Sequence, residues 1–283
     1  MDGIFLVNKE KNMTSHDIVN LIKKKFNFQK VGHTGTLDPL AEGLLIILVN
    51  KATKLTFLFE NLNKKYVGSI IFNYNYDTLD INGKILDKSN AFISEQKIKK
   101  VISYFNKKKY LQTPPMYSAI KIRGEKMYNL ARKNIKIKIP PREIYIHNLK
   151  MIGRLENNII QFQTNVSKGT YIRSLARDIA DKMNTYGALN SLTRTKIGPY
   201  NLNKAQKIES ISLNNLINHK ILFQKKQKII LSDYLINLVK NGIILDKRQI
   251  ITTQPFVVMD QKKNYIAYYQ PIEKNKYSVK YFF

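Results

Sequence analysis

The segment Gly32-His33-Thr34-Gly35-Thr36-Leu37-Asp38-Pro39-Leu40-Ala41-Glu42-Gly43 decides how this chain is read. Its glycines let the backbone adopt positive φ or approach a ligand closely. Pro39 biases Asp38 away from helix, into extended or turn backbone. A carboxylate is thus presented on a constrained loop just ahead of Leu44 to Val49, an apolar run that reads as a buried strand. An isolated Asp-Pro is ordinarily a turn element, so the loop alone leaves Asp38 open between a turn and a reactive group.

Working outward, Ile4 to Val7 reads as a short strand, and Thr14 with Asp17 as a capping box. The helix behind it carries Ile18, Val19, Ile22 and Phe26 on one face, with Lys23, Lys24 and Lys25 largely outside it. Val31 to Gly43 reads as a loop and Tyr66 to Tyr76 as one strand. Asn82-Gly83 predicts a hairpin turn, with Lys84 to Asp87 returning. Ser94 starts a second helix bearing Ile98, Val101, Ile102 and Phe105. Pro114-Pro115 and Pro140-Pro141 bound an irregular basic region. Arg142 to Arg154 and Ile159 to Val166 read as strands, the second alternating as a half-buried antiparallel strand does. Ser167 to Thr170 then turns into a helix with Ile172, Leu175, Ala176, Ile179 and Met183 on one face, and Arg173 and Arg177 on another. The polar stretch Gln224 to Lys228 divides the chain into residues 1–223 and a β-leaning 229–283. Strands and helices are interspersed without strict βαβ alternation, which predicts an α+β fold with a largely antiparallel sheet.

At 283 residues and 43 % hydrophobic content, the chain can build a proper core. It has no Cys, which excludes disulfides, iron–sulfur clusters and thiolate zinc sites and fits a reducing cytoplasm. No signal peptide is read at the N-terminus, and no run approaches the roughly 20 apolar residues that span a membrane. Net charge is +28, from 48 Lys and Arg against 20 Asp and Glu. Such a balance points to a polyanion partner, above all nucleic acid. An A/T-rich codon bias toward Lys, Asn, Ile, Tyr and Phe accounts for part of it. His16, His33, His147 and His219 are scattered without metal-ligand spacing. There is no phosphate loop, no dinucleotide-binding glycine fingerprint and no Gly-x-Ser-x-Gly elbow. Thr78 to Gly83 imitates the start of a calcium loop, but Thr78 and Ser89 stand where carboxylates are needed. No metal and no cofactor are expected, and the chemistry falls to ordinary side chains.

As a whole, Gly32 to Gly43 closely resembles the catalytic motif of TruB-type tRNA pseudouridine synthases. Lys64-Lys65-Tyr66, Pro114-Pro115-Met116-Tyr117-Ser118-Ala119, Ser167-Lys168-Gly169-Thr170-Tyr171-Ile172-Arg173 and Leu192-Thr193-Arg194 resemble further motifs of that family. The resemblance covers residues 4 to 220 and continues more weakly into a shortened PUA-type segment. Two departures stand out: Tyr76 occupies a position where threonine is expected, and glycines are missing near Ile266-Ala267-Tyr268.

The resemblance implies a pseudouridine synthase fold, a mixed, largely antiparallel sheet flanked by helices and loops, with a small β-rich PUA-like RNA-binding domain at 229–283. It implies isomerisation of uridine 55 in the tRNA T loop, by a monomer that needs no protein partner and no membrane. A related synthase for another RNA, or a non-catalytic RNA-binding or chaperone protein on the same scaffold, are the alternatives. Asp38 would be catalytic, and Arg173 would pair with it, since a neighbouring cation favours the ionised carboxylate. Tyr66 and Tyr171 would line the uracil pocket, with Tyr66 also able to exchange a proton. Leu192 would pack on the base and His33 on the RNA loop. Lys9, Lys65, Lys168 and Arg194 are assigned to RNA phosphates by sign of charge alone.

Overall fold

Strand Glu42–Val49 is apolar at every position from Leu44 on, and all of those positions are buried. A strand apolar on both faces must be covered on both, and the fold is arranged around that requirement. It pairs antiparallel with Gly3–Lys9 and parallel with Gly187–Ile197. The large sheet runs Ile217–Asn218, Gly3–Lys9, Glu42–Val49, Gly187–Ile197, Lys64–Phe72, Ile159–Val166, Arg142–Glu156, Lys108–Gln112, with Val31–His33 and Tyr200–Asn201 attached. Every other pairing in it among the described residues is antiparallel. The computed structural model describes residues 1–283 except 119, 123, 134, 136 and 138 and the side chains of 121, 122, 126 and 132, so Ala119 of the Pro114–Ala119 motif lies outside the described residues.

Phe5 and Val7 with Leu45, Ile47 and Val49 bury against Ile18 and Ile22 of helix Ser15–Phe26. The Thr14–Asp17 capping box opens that helix as its sequence predicts. Ile4, Leu6, Leu44, Ile46 and Leu48 point the other way, into a cluster shared with Val257, Met259, Tyr268 and Tyr281. Period-two alternation thus sorts one strand pair onto two cores. At the far side of the sheet, helices Glu95–Phe105 and Ile172–Asp181 cover Ile70, Phe72, Ile144, Ile146, Ile160 and Phe162.

A smaller sheet holds Gln227–Ile230, Phe256–Met259, Tyr265–Glu273, Lys276–Phe282 and Leu245–Asp246, with helix Asp233–Lys240 against it. Ala267 and Tyr268, where glycines were expected, are buried in it. No helix among the described residues is long and apolar enough to cross a membrane.

Three expectations change. Val31 to Gly43 is not all loop, because Val31–His33 adds a strand beside Ile47 to Val49. The strand read over Tyr66 to Tyr76 breaks at Asn73, whose φ of 72° is left-handed, leaving Lys64–Phe72 and Tyr74–Tyr76. Asn82-Gly83 is not a two-residue turn. Strands Tyr74–Tyr76 and Ile85–Lys88 are joined by a longer loop, in which Asp77 caps the Lys84 N–H and Asp80 caps the Asn82 N–H. Those side-chain acceptors compete with a tight turn and draw Asp80 inward. Tyr76 is accommodated half-buried in the shorter hairpin, opposite Ile85 and 6.3 Å from the Tyr74 ring.

Gly43 sits where the parallel pair closes, at φ +102°, and a Cβ there would lie 2.5 Å from the Arg194 carbonyl oxygen. This is why the motif ends in glycine: the Asp38 loop enters the sheet through a contact no side chain can share.

Candidate functional site

The loop from Thr34 to Ala41 is fastened on both sides of Asp38. The Ser15 hydroxyl accepts the Leu37 N–H at 2.8 Å and donates to the Leu37 carbonyl at 3.1 Å. The Asn12 N–H donates to the Pro39 carbonyl, and the Ala41 N–H to that of Asp38. Leu37, Leu40 and Ala41 are buried. Asp38 keeps its side chain 36 % exposed and lines two cavities.

Arg173 meets it there. It lies in the first turn of helix Ile172–Asp181 and is itself buried. Its Nη1 donates to the Thr78 carbonyl at 2.9 Å, and its Nη2 donates to Asp38 Oδ1 at 3.0 Å and to the Tyr117 carbonyl at 2.8 Å. Nε lies 2.9 Å from Asp38 Oδ2. Its N–H is not aimed at that oxygen, so the directed bond of the pair is Nη2 to Oδ1. The guanidinium is therefore fixed by two backbone carbonyls from separate loops before it touches a carboxylate.

A second carboxylate, Asp80, stands 3.6 Å from Arg173 Nε. It is buried, takes the Thr78 hydroxyl at 2.8 Å, and its carboxyl is pushed above the usual range by that burial, against the pull of Arg173. Sequence reasoning missed Asp80 because Asn82-Gly83 looked like an exposed turn. The signal it lacked was Thr78 and Asp80 at the spacing of a side-chain-closed turn.

The first cavity, about 270 Å³, is lined by Tyr66, Tyr171, Leu192 and Val166 together with Asp38 and Arg173. It falls just below the range of about 300–1,000 Å³ for drug-sized ligands, a size for one base. Tyr66 and Leu192 come from neighbouring strands, and Tyr171 caps the helix that bears Arg173. Burial pushes the Tyr171 hydroxyl up. The second cavity, about 690 Å³, lies across Asp38 and contains His16, His33, Tyr117 and Tyr128. His33 therefore lines this second cavity and not the one walled by Tyr66 and Tyr171. Burial first, then Arg194 and His16, lower its pKa and favour the neutral ring.

The cations divide differently from the expectation. Lys9 is fully buried and donates to the Glu10 and Met13 carbonyls at 2.8 and 2.7 Å. Arg194 is 2 % exposed and donates to the carbonyls of Leu44, Thr36 and Gly35. Both serve as internal braces, and Arg194, which also lines the first cavity, ties the Asp38 loop to its strand. Lys65 points to the opposite face of its strand from Tyr66, as period two requires. Lys64 shares the Tyr66 side and lines the cavity, while Lys168 is exposed nearby on Asn61. Burial, with help from Arg194 and Lys168, pushes the Lys64 amine down to about 8. The alternation Lys64, Tyr66, Gly68 was the sequence signal that singles out Lys64.

Residues 23–172 match the family described as TruB family pseudouridylate synthase, N-terminal domain. The chain is 56 % identical over 283 residues, all of both chains, to tRNA pseudouridine synthase B of Onion yellows phytoplasma (strain OY-M). It is 50 % identical, again over the whole of both, to the protein of that name from Acholeplasma laidlawii (strain PG-8A).

The chain belongs to the TruB family of pseudouridylate synthases.

Among solved structures, a chain of a Cbf5-Nop10-Gar1 complex aligns with TM-score 0.69 at 21 % identity, covering 96 % of this chain and 79 % of that one. At that identity the likeness shows the fold alone: the mixed sheet with its helices is a pseudouridine synthase fold. Within this TruB-family chain, the bracing role of Arg194 is open to test. Arg194→Met should strand three carbonyls and lower unfolding free energy by about 3 kcal/mol or more, since each unpaired buried group costs about 1–3 kcal/mol. Lys168→Met, changing an exposed cation, should stay within about 0.5 kcal/mol. Urea denaturation of the two variants measures both.

Proposed function

We propose that this chain isomerises uridine 55 in the T loop of tRNA to pseudouridine, with Asp38 as the catalytic residue. The observation that carries the reading is the Asp38–Arg173 pair in the lining of a small cavity walled by Tyr66, Tyr171 and Leu192, in a chain of the TruB family. The tRNA target is read from the names of its full-length relatives.

A uridine stacked in an RNA loop cannot reach this carboxylate. It has to be extruded, at a cost of a few kcal/mol. Stacking on Tyr66 and Tyr171 offsets that, at about 1–3 kcal/mol per base, and Leu192 closes the remaining wall. Arg173 holds the carboxylate still while the sugar approaches. The bond from uracil N1 to sugar C1′ breaks, the base turns, and C5 bonds to C1′. The hydrogen on C5 leaves and N1 regains one, so atoms balance without oxidant, reductant or water. Asp38 acts on the sugar as a nucleophile at C1′ or as a base on its 2′ hydrogen; either use needs the same placement. Tyr66, beside the ring, is placed to move the C5 proton.

Lys64 in the cavity lining and the exposed Lys168 are the proposed phosphate contacts, in place of Lys9, Lys65 and Arg194. His33 faces the RNA from the second cavity. We further propose that 1–223 is the catalytic unit and 229–283 a PUA-like RNA-binding module. Its own sheet, beginning at Gln227, supports this, although a shared core joins the two.

A T stem-loop RNA tritiated at uracil C5 tests the activity. Wild type should release tritium and Asp38→Ala none above background. Release by the variant would remove Asp38 from the chemistry, and release by neither would favour a non-catalytic RNA-binding protein. Lys64 adds a pH dependence. Its folded pKa of about 8 makes it a cation below that pH and neutral above it. RNA affinity should therefore weaken as pH rises through that value, and Lys64→Arg, which keeps its charge, should flatten the profile. Lys9 has an amine lowered to the same value and is present in both proteins, so the difference isolates Lys64. Fluorescence anisotropy a unit either side provides the measurement.

A further inference from the structure

The backbone N–H of Tyr171 is held from outside its own helix. Tyr171 is the N-cap residue and makes no side-chain cap bond of its own. Its N–H donates at 2.9 Å to Oε1 of Gln112, the last residue of strand Lys108–Gln112. Gln112 is 1 % exposed, so its amide has no solvent to fall back on. Its Nε2 donates at 3.0 Å to the Tyr110 hydroxyl, which donates at 2.9 Å to Asp178 Oδ2. Asp178 lies on the same helix as Arg173, about two turns beyond Tyr171.

The direction of this chain of bonds is fixed at its far end. A carboxylate only accepts, so Tyr110 must donate to Asp178. Its oxygen is then free to accept from Gln112, which turns the amide so that Oε1 faces the Tyr171 N–H. Burial and the Asp178 charge push the Tyr110 hydroxyl up, keeping it protonated and donating. Arg177 closes the far end, donating to Asp178 Oδ1 at 2.6 Å and to the Thr113 carbonyl at 3.1 Å. Ser174 donates to the same carbonyl at 2.8 Å. Strand and helix are thus locked at both ends, with Tyr171 and Arg173 between them and the cavity.

Resting on the proposed roles of Tyr171 and Arg173, we infer that Gln112 is a positioning residue for the isomerisation. It sets the register of helix Ile172–Asp181 so that the Tyr171 ring and the Arg173 fork meet the flipped uridine and Asp38 together. It touches neither substrate nor reacting atoms. Its loss therefore acts on the chemical step and leaves in place the phosphate contacts that dominate RNA affinity.

Gln112→Met keeps length and bulk but neither donates nor accepts well. Single-turnover tritium release should fall about 10- to 100-fold, the scale of a misplacement near 1 Å, with the Kd for the T stem-loop within about twofold of wild type. Gln112→Glu retains an acceptor for the Tyr171 N–H and should recover part of that rate. Tyr110→Phe, which unties the amide from Asp178, should be slowed in the same direction but less. Amide hydrogen exchange at Tyr171 reads the anchor without RNA and should quicken in Gln112→Met. Wild-type rate in Gln112→Met, a loss matched by the loss in Kd, no recovery in Gln112→Glu, or unmoved exchange at Tyr171 would each overturn the inference. Quickened exchange with a wild type that releases no tritium would uphold the anchor and overturn the uridine reading instead.

Discussion

The Arg173 guanidinium is the constraint on which the site depends. It reaches Asp38 from one loop, Thr78 and Asp80 from another, and the Tyr117 carbonyl from a third. A planar guanidinium holds five N–H donors on three separated nitrogens in a fixed fork, whereas a lysine ammonium offers three from a single atom. Burying a cation is costly unless it is paired and hydrogen-bonded, and here both conditions hold. Three segments far apart in sequence are thereby gathered around one charge, and the carboxylate at their meeting point is the part left open to the cavities.

The remaining cations divide by burial. Lys9 and Arg194 are consumed inside, on backbone carbonyls of the segments that carry Asp38 and the first helix. Lys64 stays in the cavity lining, and Lys168 is exposed beside Asn61. Residue type therefore says little about which cations stay accessible in this chain. What decides is the face of the strand, and whether a loop carbonyl or open space lies at the end of the side chain. The Asp38 loop is rigid for the same reason: Ser15, Arg194 and the buried Leu37, Leu40 and Ala41 fasten it, and Gly43 lets it enter the sheet.

Much of this was legible in the sequence, because the determining signals were local. The Thr14–Asp17 box, the apolar run from Leu44 and the alternation of Ile159 to Val166 each specify their own element. Asp38, Tyr66, Tyr171, Arg173 and Leu192 were nameable through contiguous motifs, and the fold brings all five to one cavity. Strand Gly187–Ile197 gave a weaker signal, since Asn190, Ser191, Thr193 and Arg194 interrupt its apolar pattern. Those polar positions are explained by partners distant in sequence, such as Ser191 with Ser69 and Thr193 with Glu42. Asp80 and Gln112 were invisible for a related reason. Each looks like an ordinary polar residue until the fold supplies Arg173 for one and the Tyr171 N–H for the other. The burial of Lys9 and Arg194 was invisible because sign of charge carries no information about burial.

The fork geometry of Arg173 is tested most directly by the single-turnover rate of Arg173→Lys on a T stem-loop, measured beside RNA affinity. Lysine restores the charge but cannot hold the Thr78 and Tyr117 carbonyls and Asp38 together. The rate should fall by about 100-fold or more while affinity stays within a few-fold, the pattern of a group that positions the reacting carboxylate. A lysine variant that turns over at the wild-type rate would contradict the account, because charge alone would then suffice.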